Sequence, residues 1–397
     1  MKILYAASDQ TVPGTNGGSV HVAAVAEGLA ALGHEVHALV TPGGGMPLGP
    51  VHWIAMPPPL GRKELRWANA GAVRTIARRL RPHVIIERYY NFGGEAIGAA
   101  AGIGALAVLE VNAPVIDHEG STKRRLDRAL IVEPMRRWRE RICAQSDLIV
   151  TPSAGILPPG TPPGKILELE WGADTDRFRP GVTGAVPFDR PADTVAVFAG
   201  AFRTWHGAIH IVTALGELRA RGRKDIGAVF IGDGPELPRV REAAAGLDGV
   251  VFTGALPHTE MPACLAACDI GVAPFDAGVH LPLSLGFYWS PLKIFEYMAA
   301  GLPVVAPAFD RIPALVGHNH EGLLYDSAIP TGLPHALAAL TDRVLCDRLG
   351  RSARDRAVRE YSWSAHCRAL DGAIGRILGL KAQGSGLRAQ DSGPRST

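Results

Sequence analysis

The amino-acid sequence predicts an α/β protein built from two similar parallel sheets in tandem. Short apolar runs alternate with amphipathic helical segments along nearly the whole chain, the pattern of strands joined by crossover helices. The alternation breaks once, at Arg179–Thr194, which is rich in Pro and Gly and has little periodicity. The length of 397 residues, with 47% apolar and 20% charged side chains, suits two globular domains of ordinary size.

In the first half, Lys2–Ala7 reads as a buried strand and Ser8–Gly18, with its Gly, Pro, Thr and Asn, as a loop. Ser19 is placed to cap a helix through Val22, Val25, Ala26 and Leu29 to Gly33, and Glu35–Val40 is the next strand. Gly17 and Gly18 precede that helix, where glycines let backbone N–H groups approach a ligand closely. Val51–Met56 is a strand, Lys63–Leu80 a helix mixing apolar and basic residues, and Val84–Glu87 a strand. Glu95–Ala101 is a helix, Ala105–Val111 a strand, and Asn112–His118 the loop after it. Leu126–Ala144 reads as one long helix, followed by strands Leu148–Thr151 and Ile166–Glu170.

Beyond the break, Val195–Ala199, Ala228–Ile231, Val250–Thr253, Asp269–Ala273 and Gly322–Tyr325 read as strands. The helices between them are Ile209–Arg221, Glu236–Ala245 and Glu260–Ala267. Pro334–Tyr361 is read as helical, and Ser362–Leu380 as a last amphipathic helix. The stretch Ser290-Pro-Leu-Lys-Ile-Phe-Glu-Tyr-Met-Ala-Ala-Gly301 gives a helix capped by Ser290, with Pro291 in its first turn and Gly301 as its C-terminal stop. Val304–Ala306 is then a buried strand. A helix N-terminus beside a strand's carboxyl end attracts anions, yet Lys293 puts a cation on that first turn. A bound phosphate removes the conflict, and Glu296 one turn on can accept two hydroxyl hydrogen bonds from a ribose.

Lys+Arg 41 against Asp+Glu 38, a net charge of +3, gives no case for nucleic acid. Five scattered Cys without a Cys-x-x-Cys suggest reduced thiols and a cytoplasmic location. The opening apolar run is too short for a signal peptide, and Ala96–Leu109 is too short to span a bilayer. Residues 62–141 carry 16 basic and 9 acidic side chains, either a solvated helix face or a contact with an anionic membrane surface. Gly384–Thr397 is polar and is expected to be disordered.

Taken in order, these segments resemble glycosyltransferase family 4. The resemblance rests on Gly17-Gly18-Ser-Val-His21 with Gly33-His-Glu-Val36, Leu109-Glu-Val-Asn-Ala-Pro114, Gly172-Ala-Asp-Thr-Asp-Arg-Phe-Arg-Pro180 and Phe198-Ala-Gly-Ala-Phe-Arg-Thr-Trp-His-Gly207. It continues through Gly232-Asp-Gly-Pro235, Phe252-Thr-Gly254 and Phe295-Glu-Tyr-Met-Ala-Ala-Gly-Leu-Pro-Val-Val305, within a subgroup reading Ser-Pro-Leu-Lys-x-Phe-Glu-Tyr. It implies the GT-B fold, two Rossmann-like domains whose parallel sheets face an interdomain cleft. The expected division is 1–185 for an acceptor-side domain, 186–361 for the donor domain, 362–383 for a helix crossing back, and 384–397 for the tail.

The resemblance further implies a retaining, metal-independent transfer from a nucleoside diphosphate sugar, with UDP as the expected nucleotide. The sugar nucleotide is a co-substrate and no cofactor is expected. Glu296 takes the ribose, Leu292 and Lys293 the phosphates at the helix N-terminus, and Gly17 and Gly18 the diphosphate. Arg203 and His206 stand where the family carries a basic residue and a phosphate-binding Lys. Tyr288 replaces the family's first acid, and Asn112 replaces a His that contacts the donor sugar. Glu110 and His118 are the nearby polar candidates for sugar or acceptor. The acceptor is a glycan, a lipid-linked compound or a small molecule. Alternatives are a nucleotide-sugar 2-epimerase of similar fold and a nucleotide-sugar binder without catalysis. A nicotinamide dehydrogenase is disfavoured, since no Gly-x-Gly-x-x-Gly follows the first strand.

Overall fold

The computed structural model describes residues 1–118, 120–130, 133–276, 278 and 284–390, with 381–390 described by backbone alone. The described chain forms two compact units. The first holds Met1–Asp117, Ser121–Glu170 and the chain from His366 onward; the second holds Trp171–Ala365 together with residues 118 and 120. The first unit therefore ends at Glu170, before the expected border at 185, because Trp171–Thr194 already packs with the second sheet. Ala173, for instance, exchanges backbone hydrogen bonds with Tyr361 and Trp363.

The first unit has strands β1 (Lys2–Val12), β2 (Glu35–Pro42), β3 (His52–Ala55), β4 (Val84–Arg88), β5 (Leu106–Glu110), β6 (Leu148–Thr151) and β7 (Ile166–Glu168). They form a parallel sheet in the order β3-β2-β1-β4-β5-β6-β7. Lys2 to Ala7 pair in register with Glu35 to Val40, and Ile3 to Ala6 with Val84 to Glu87. Helices cover both faces, which is why Ile3, Leu4, Val84, Ile85 and Ile86 are each 0% exposed. The helices are α1 (Gly17–Ala31), α2 (Ala70–Leu80), α3 (Glu95–Ala101), α4 (Thr122–Ala129) and α5 (Pro134–Gln145).

In the second unit, β8 (Thr194–Ala199), β9 (Ile226–Ile231), β10 (Val250–Gly254), β11 (Ile270–Val272), β12 (Val304–Pro307) and β13 (Gly322–Tyr325) are ordered β10-β9-β8-β11-β12-β13. Its helices are α6 (Ala208–Ala220), α7 (Leu237–Ala243), α8 (Met261–Ala266), α9 (Leu292–Ala299), α10 (Ile312–Leu315), α11 (Gly332–Ala339) and α12 (Arg343–Glu360). Strand alternation sorts the core. Val195, Val197 and Ala199 pack with Ile294, Phe295 and Met298 of α9. Ala196 and Phe198 face the other side, with Ile211 and Leu215 of α6 and Leu337 of α11. The last helix is α13 (Trp363–Gln390). In the first unit Cys367 of α13 sits so close to Gly28 of α1 that a Cβ at 28 would lie 2.4 Å from its Sγ. Asp371 bonds His34 Nε2 at 2.9 Å.

Several expectations are corrected. The loop expected from Ser8 begins later, because β1 resumes pairing at Thr11 and Val12 after an irregularity. Asn16 caps α1, accepting the Ser19 N–H at 3.0 Å, so Ser19 lies inside the helix. Leu126–Ala144 is two helices: Glu133 takes a left-handed conformation and Pro134 starts α5. Pro334–Tyr361 is also two, since Asp342 caps α12 through the N–H groups of Val344 and Leu345. Lys63–Asn69 is a 3₁₀ segment leading into α2. The tail expected from Gly384 is helical through Gln390, and residues 391–397 lie outside the described residues.

Candidate functional site

In the second unit, the loops after β8 and β11 meet the N-terminus of α9. Ser290 does not cap that helix. Its Oγ accepts the Trp171 N–H at 2.9 Å, and Pro291, which makes no side-chain capping bond, takes the capping position. Leu292 and Lys293 therefore open α9, with Ile294 N–H bonding back to Pro291 O at 2.8 Å. The Lys293 stem runs inward. Its Nζ lies 4.1 Å from the centre of the Phe198 ring and 5.5 Å from that of Phe275. It is shut off from solvent and has no hydrogen-bond partner among the described residues. Burial drives its pKa down to about 7, against a smaller upward pull from Glu296. Gly200 makes room for it: a Cβ there would sit 3.3 Å from Nζ, at a φ of +133°.

His206 stands on the same side, its ring centre 6.5 Å from Phe198 and 6.1 Å from Phe275. Its Nδ1 donates to the Ala201 carbonyl, a contact that orients the ring. Gly207 follows at φ +67°, where a Cβ would overlap the Pro274 carbonyl at 1.8 Å, so the loop closes tightly behind the imidazole. Arg203 heads the same short turn and is exposed. Glu296, one turn into α9, is 15% exposed at its side chain and accepts from His258 Nε2 at 3.0 Å. His258 also packs on Phe178. Tyr288 is buried, and burial pushes its hydroxyl up to about 12. Its ring meets Trp289, which stacks on Trp205 at 4.5 Å, and Trp205 contacts His206 edge-on at 4.0 Å. This aromatic ladder links position 288 to the basic loop. A separate cavity of about 480 Å³, lined by His210, Asp276, Phe309 and Tyr325, shares Phe275 with these surroundings.

The structure thus groups Lys293, His206, Glu296 and Leu292, with Arg203 at the edge and Tyr288 behind the tryptophans. The sequence reading missed His258, Trp205 and Trp289. His258 follows β10 in a short loop and has no spacing signal toward Glu296, so only the fold brings them together. Residues 277 and 279–283 of the neighbouring loop lie outside the described residues.

The remaining candidates sit elsewhere. Gly17 and Gly18 open α1 in the first unit, where a Cβ at 18 would clash with the Gln10 side chain at 2.2 Å. Asn112 is half-buried just past β5, and His118 groups with the second unit. Glu110 does not serve as an open sugar contact: it is buried, with one oxygen 2.7 Å from His21 Nε2 and the other accepting from Tyr5 at 2.6 Å. Burial alone would raise its pKa, but these bonds and the Arg88 guanidinium hold it below the ordinary value. Burial lowers the pKa of His21 and takes that of His366 beside it down to about 3. His21, Glu110 and His366 offer ligand-type atoms within 4.8 Å of one another, but the carboxylate oxygens are already engaged by Tyr5 and His21, so this is a hydrogen-bonded core cluster. Arg66 forms a second buried cluster, 2.6 Å from Asp9, 3.2 Å from Glu87 and 2.7 Å from Glu95. Burial, then the charge of Glu95, raises Glu87 to about 7.

Comparison with known proteins gives this geometry a family. A glycosyltransferase family 4 model matches residues 15–157, and a group 1 glycosyl transferase model matches residues 193–347. One falls on each unit, so the chain belongs with the family 4 glycosyltransferases of GT-B fold. It is 30% identical over 217 residues to a GDP-mannose-dependent α-(1-6)-phosphatidylinositol monomannoside mannosyltransferase of Mycobacterium tuberculosis, 50% of this chain and 54% of that one. It is 36% identical over 167 residues to a 2-deoxystreptamine glucosyltransferase of Streptomyces kanamyceticus, 41% of this chain and 39% of that one. The matches span about half the length of these curated relatives or less. In fold, it resembles the sucrose-phosphate synthase of Thermosynechococcus elongatus with a TM-score of 0.70 at 16% identity, covering 96% of this chain and 99% of that one.

Proposed function

We propose that the chain is a retaining glycosyltransferase, moving a sugar from a nucleoside diphosphate sugar to an acceptor hydroxyl without a metal ion. The observation that carries this is Lys293: a buried amine with no hydrogen-bond partner among the described residues, in the first turn of α9, beside an imidazole and a Gly-bounded loop. A diphosphate satisfies all of these at once. In this reading Arg203, His206, Lys293 and the first-turn backbone at Leu292 stabilise the leaving diphosphate, where negative charge develops. Glu296 accepts from the ribose hydroxyls, and His258 fixes its carboxylate. Backbone N–H groups at Gly17 and Gly18 are proposed anion donors of the first unit. The bond from the sugar C1 to diphosphate breaks and the bond to the acceptor oxygen forms on the same face. The acceptor proton passes to the leaving phosphate oxygen, so no separate base is assigned.

Both family matches are to transferases, which favours transfer over a 2-epimerase. A nucleotide-sugar binder without catalysis is the remaining rival, motivated by Tyr288 where the family carries an acid. UDP is the proposed nucleotide; the mycobacterial relative's name makes GDP-mannose the donor to set beside it. The acceptor is a glycan, a lipid-linked compound or a small molecule, used in the cytoplasm with peripheral membrane contact. No helix among the described residues is long and apolar enough to cross a membrane. In a turnover assay, Arg203→Ala and Glu296→Ala should each lose at least tenfold, about 1.4 kcal/mol of transition-state stabilisation. Near-wild-type rates in both would move the site elsewhere. Tight donor binding without transfer to any acceptor of a broad panel would favour the binder.

A further inference from the structure

The first unit carries a groove that the chemistry above does not use. It encloses about 470 Å³ and is lined by Trp67 and Arg74 on the approach to and along α2, Glu95 and Gly98 of α3, and Trp138 and Arg141 of α5. Trp67 is 52% exposed and Trp138 46%. Trp138 is anchored by its indole N–H, which donates to Gly93 O at 3.0 Å. Arg74 and Arg141 are exposed, and no ion pair engages either among the described residues. The acid in the lining, Glu95, is buried: Oε1 accepts from Arg66 Nε at 2.7 Å, and Oε2 has no hydrogen-bond partner among the described residues.

These features ask for different parts of one ligand. Two guanidinium groups fit a phosphate. Two half-exposed indoles fit the boundary between headgroup and hydrocarbon. A small soluble phosphate ester would leave the indoles without a role.

We propose that this groove docks the protein on an anionic bilayer by holding the phosphate of a phospholipid headgroup. The proposal rests on the membrane contact in the reading above, but not on sugar transfer. Arg74 and Arg141 take the phosphodiester, and Trp67 and Trp138 enter the interface.

The test is sedimentation of the full chain with vesicles of phosphatidylcholine alone and with added phosphatidylglycerol. Two variants are compared with wild type: Trp67→Ala/Arg74→Glu/Arg141→Glu in the groove, and Arg78→Glu/Arg79→Glu, two exposed α2 arginines outside its lining. All groove substitutions are at exposed positions, and melting temperature checks that each variant folds. The expected result is phosphatidylglycerol-dependent sedimentation of wild type, at least a fivefold loss in the groove variant and a smaller loss in the other. Equal losses would show a diffuse basic surface and overturn the groove. Wild type that ignores phosphatidylglycerol would overturn the membrane contact as well. Neither result bears on donor binding, which a nucleotide titration reads separately.

Discussion

Lys293 is a buried amine with no hydrogen-bond partner among the described residues, an arrangement that costs stability and marks a candidate ligand site. With its pKa lowered to about 7 by burial, it is largely neutral at pH 8.5 in the free protein. An unfolded Lys binds its proton more tightly, so the stability penalty is full below about pH 7 and fades as pH rises toward the ordinary Lys value. A diphosphate beside Nζ raises the pKa again, so binding at pH 8.5 takes up about one proton. Calorimetric titration of a nucleoside diphosphate in buffers of different ionisation enthalpy reads that uptake directly. Lys293→Met should abolish it. Uptake unchanged in that variant would assign the proton to another group, His206 being the nearest. Lys293 and Glu296 were both legible in the sequence, because helix punctuation and charge placement are local. The depth of Nζ was not, since it depends on Phe198 arriving from β8 and Phe275 from the loop after β11.

At the scale of elements, strands were the easiest to read, because strands buried on both faces are continuous apolar runs. Helix borders were harder where one helix follows another. The breaks at Glu133-Pro134 and Asp342 had signals in the sequence, a proline and a capping acid, masked by apolar periodicity that continued across them. Asp342 accepts from Val344 N–H at 2.9 Å, so Asp342→Ala should cost about 1 kcal/mol while Asp342→Asn stays near wild type. Thermal unfolding of the transition that melts the second unit would show this as a fall of a few degrees in Tm; equal Tm values for both variants would remove the cap's role. The Ser290 expectation failed for another reason. The residue type suits a cap, but the Trp171 N–H claims its hydroxyl, a long-range contact no local rule contains.

For the molecule as a whole, the tandem-sheet prediction and the observed strand orders agree, and one family match falls on each unit. The border between the units was misplaced because a Pro- and Gly-rich run marks where the chain is irregular, not where contacts divide. The buried clusters at Arg66 and at Glu110 were illegible as clusters, since their members come from separate strands and helices. They also show why a polar residue at a strand's carboxyl end is an ambiguous sign: Glu110 was a candidate for sugar or acceptor and is enclosed. In the second unit, Lys293 and His206 are proposed to hold a diphosphate and Glu296 its ribose. The most direct measurement is a binding titration of UDP, GDP and dTDP against wild type and Glu296→Ala. The account predicts that at least one nucleotide binds wild type and that the variant binds it at least tenfold more weakly. No binding of any of the three, or equal affinity in the variant, would contradict it.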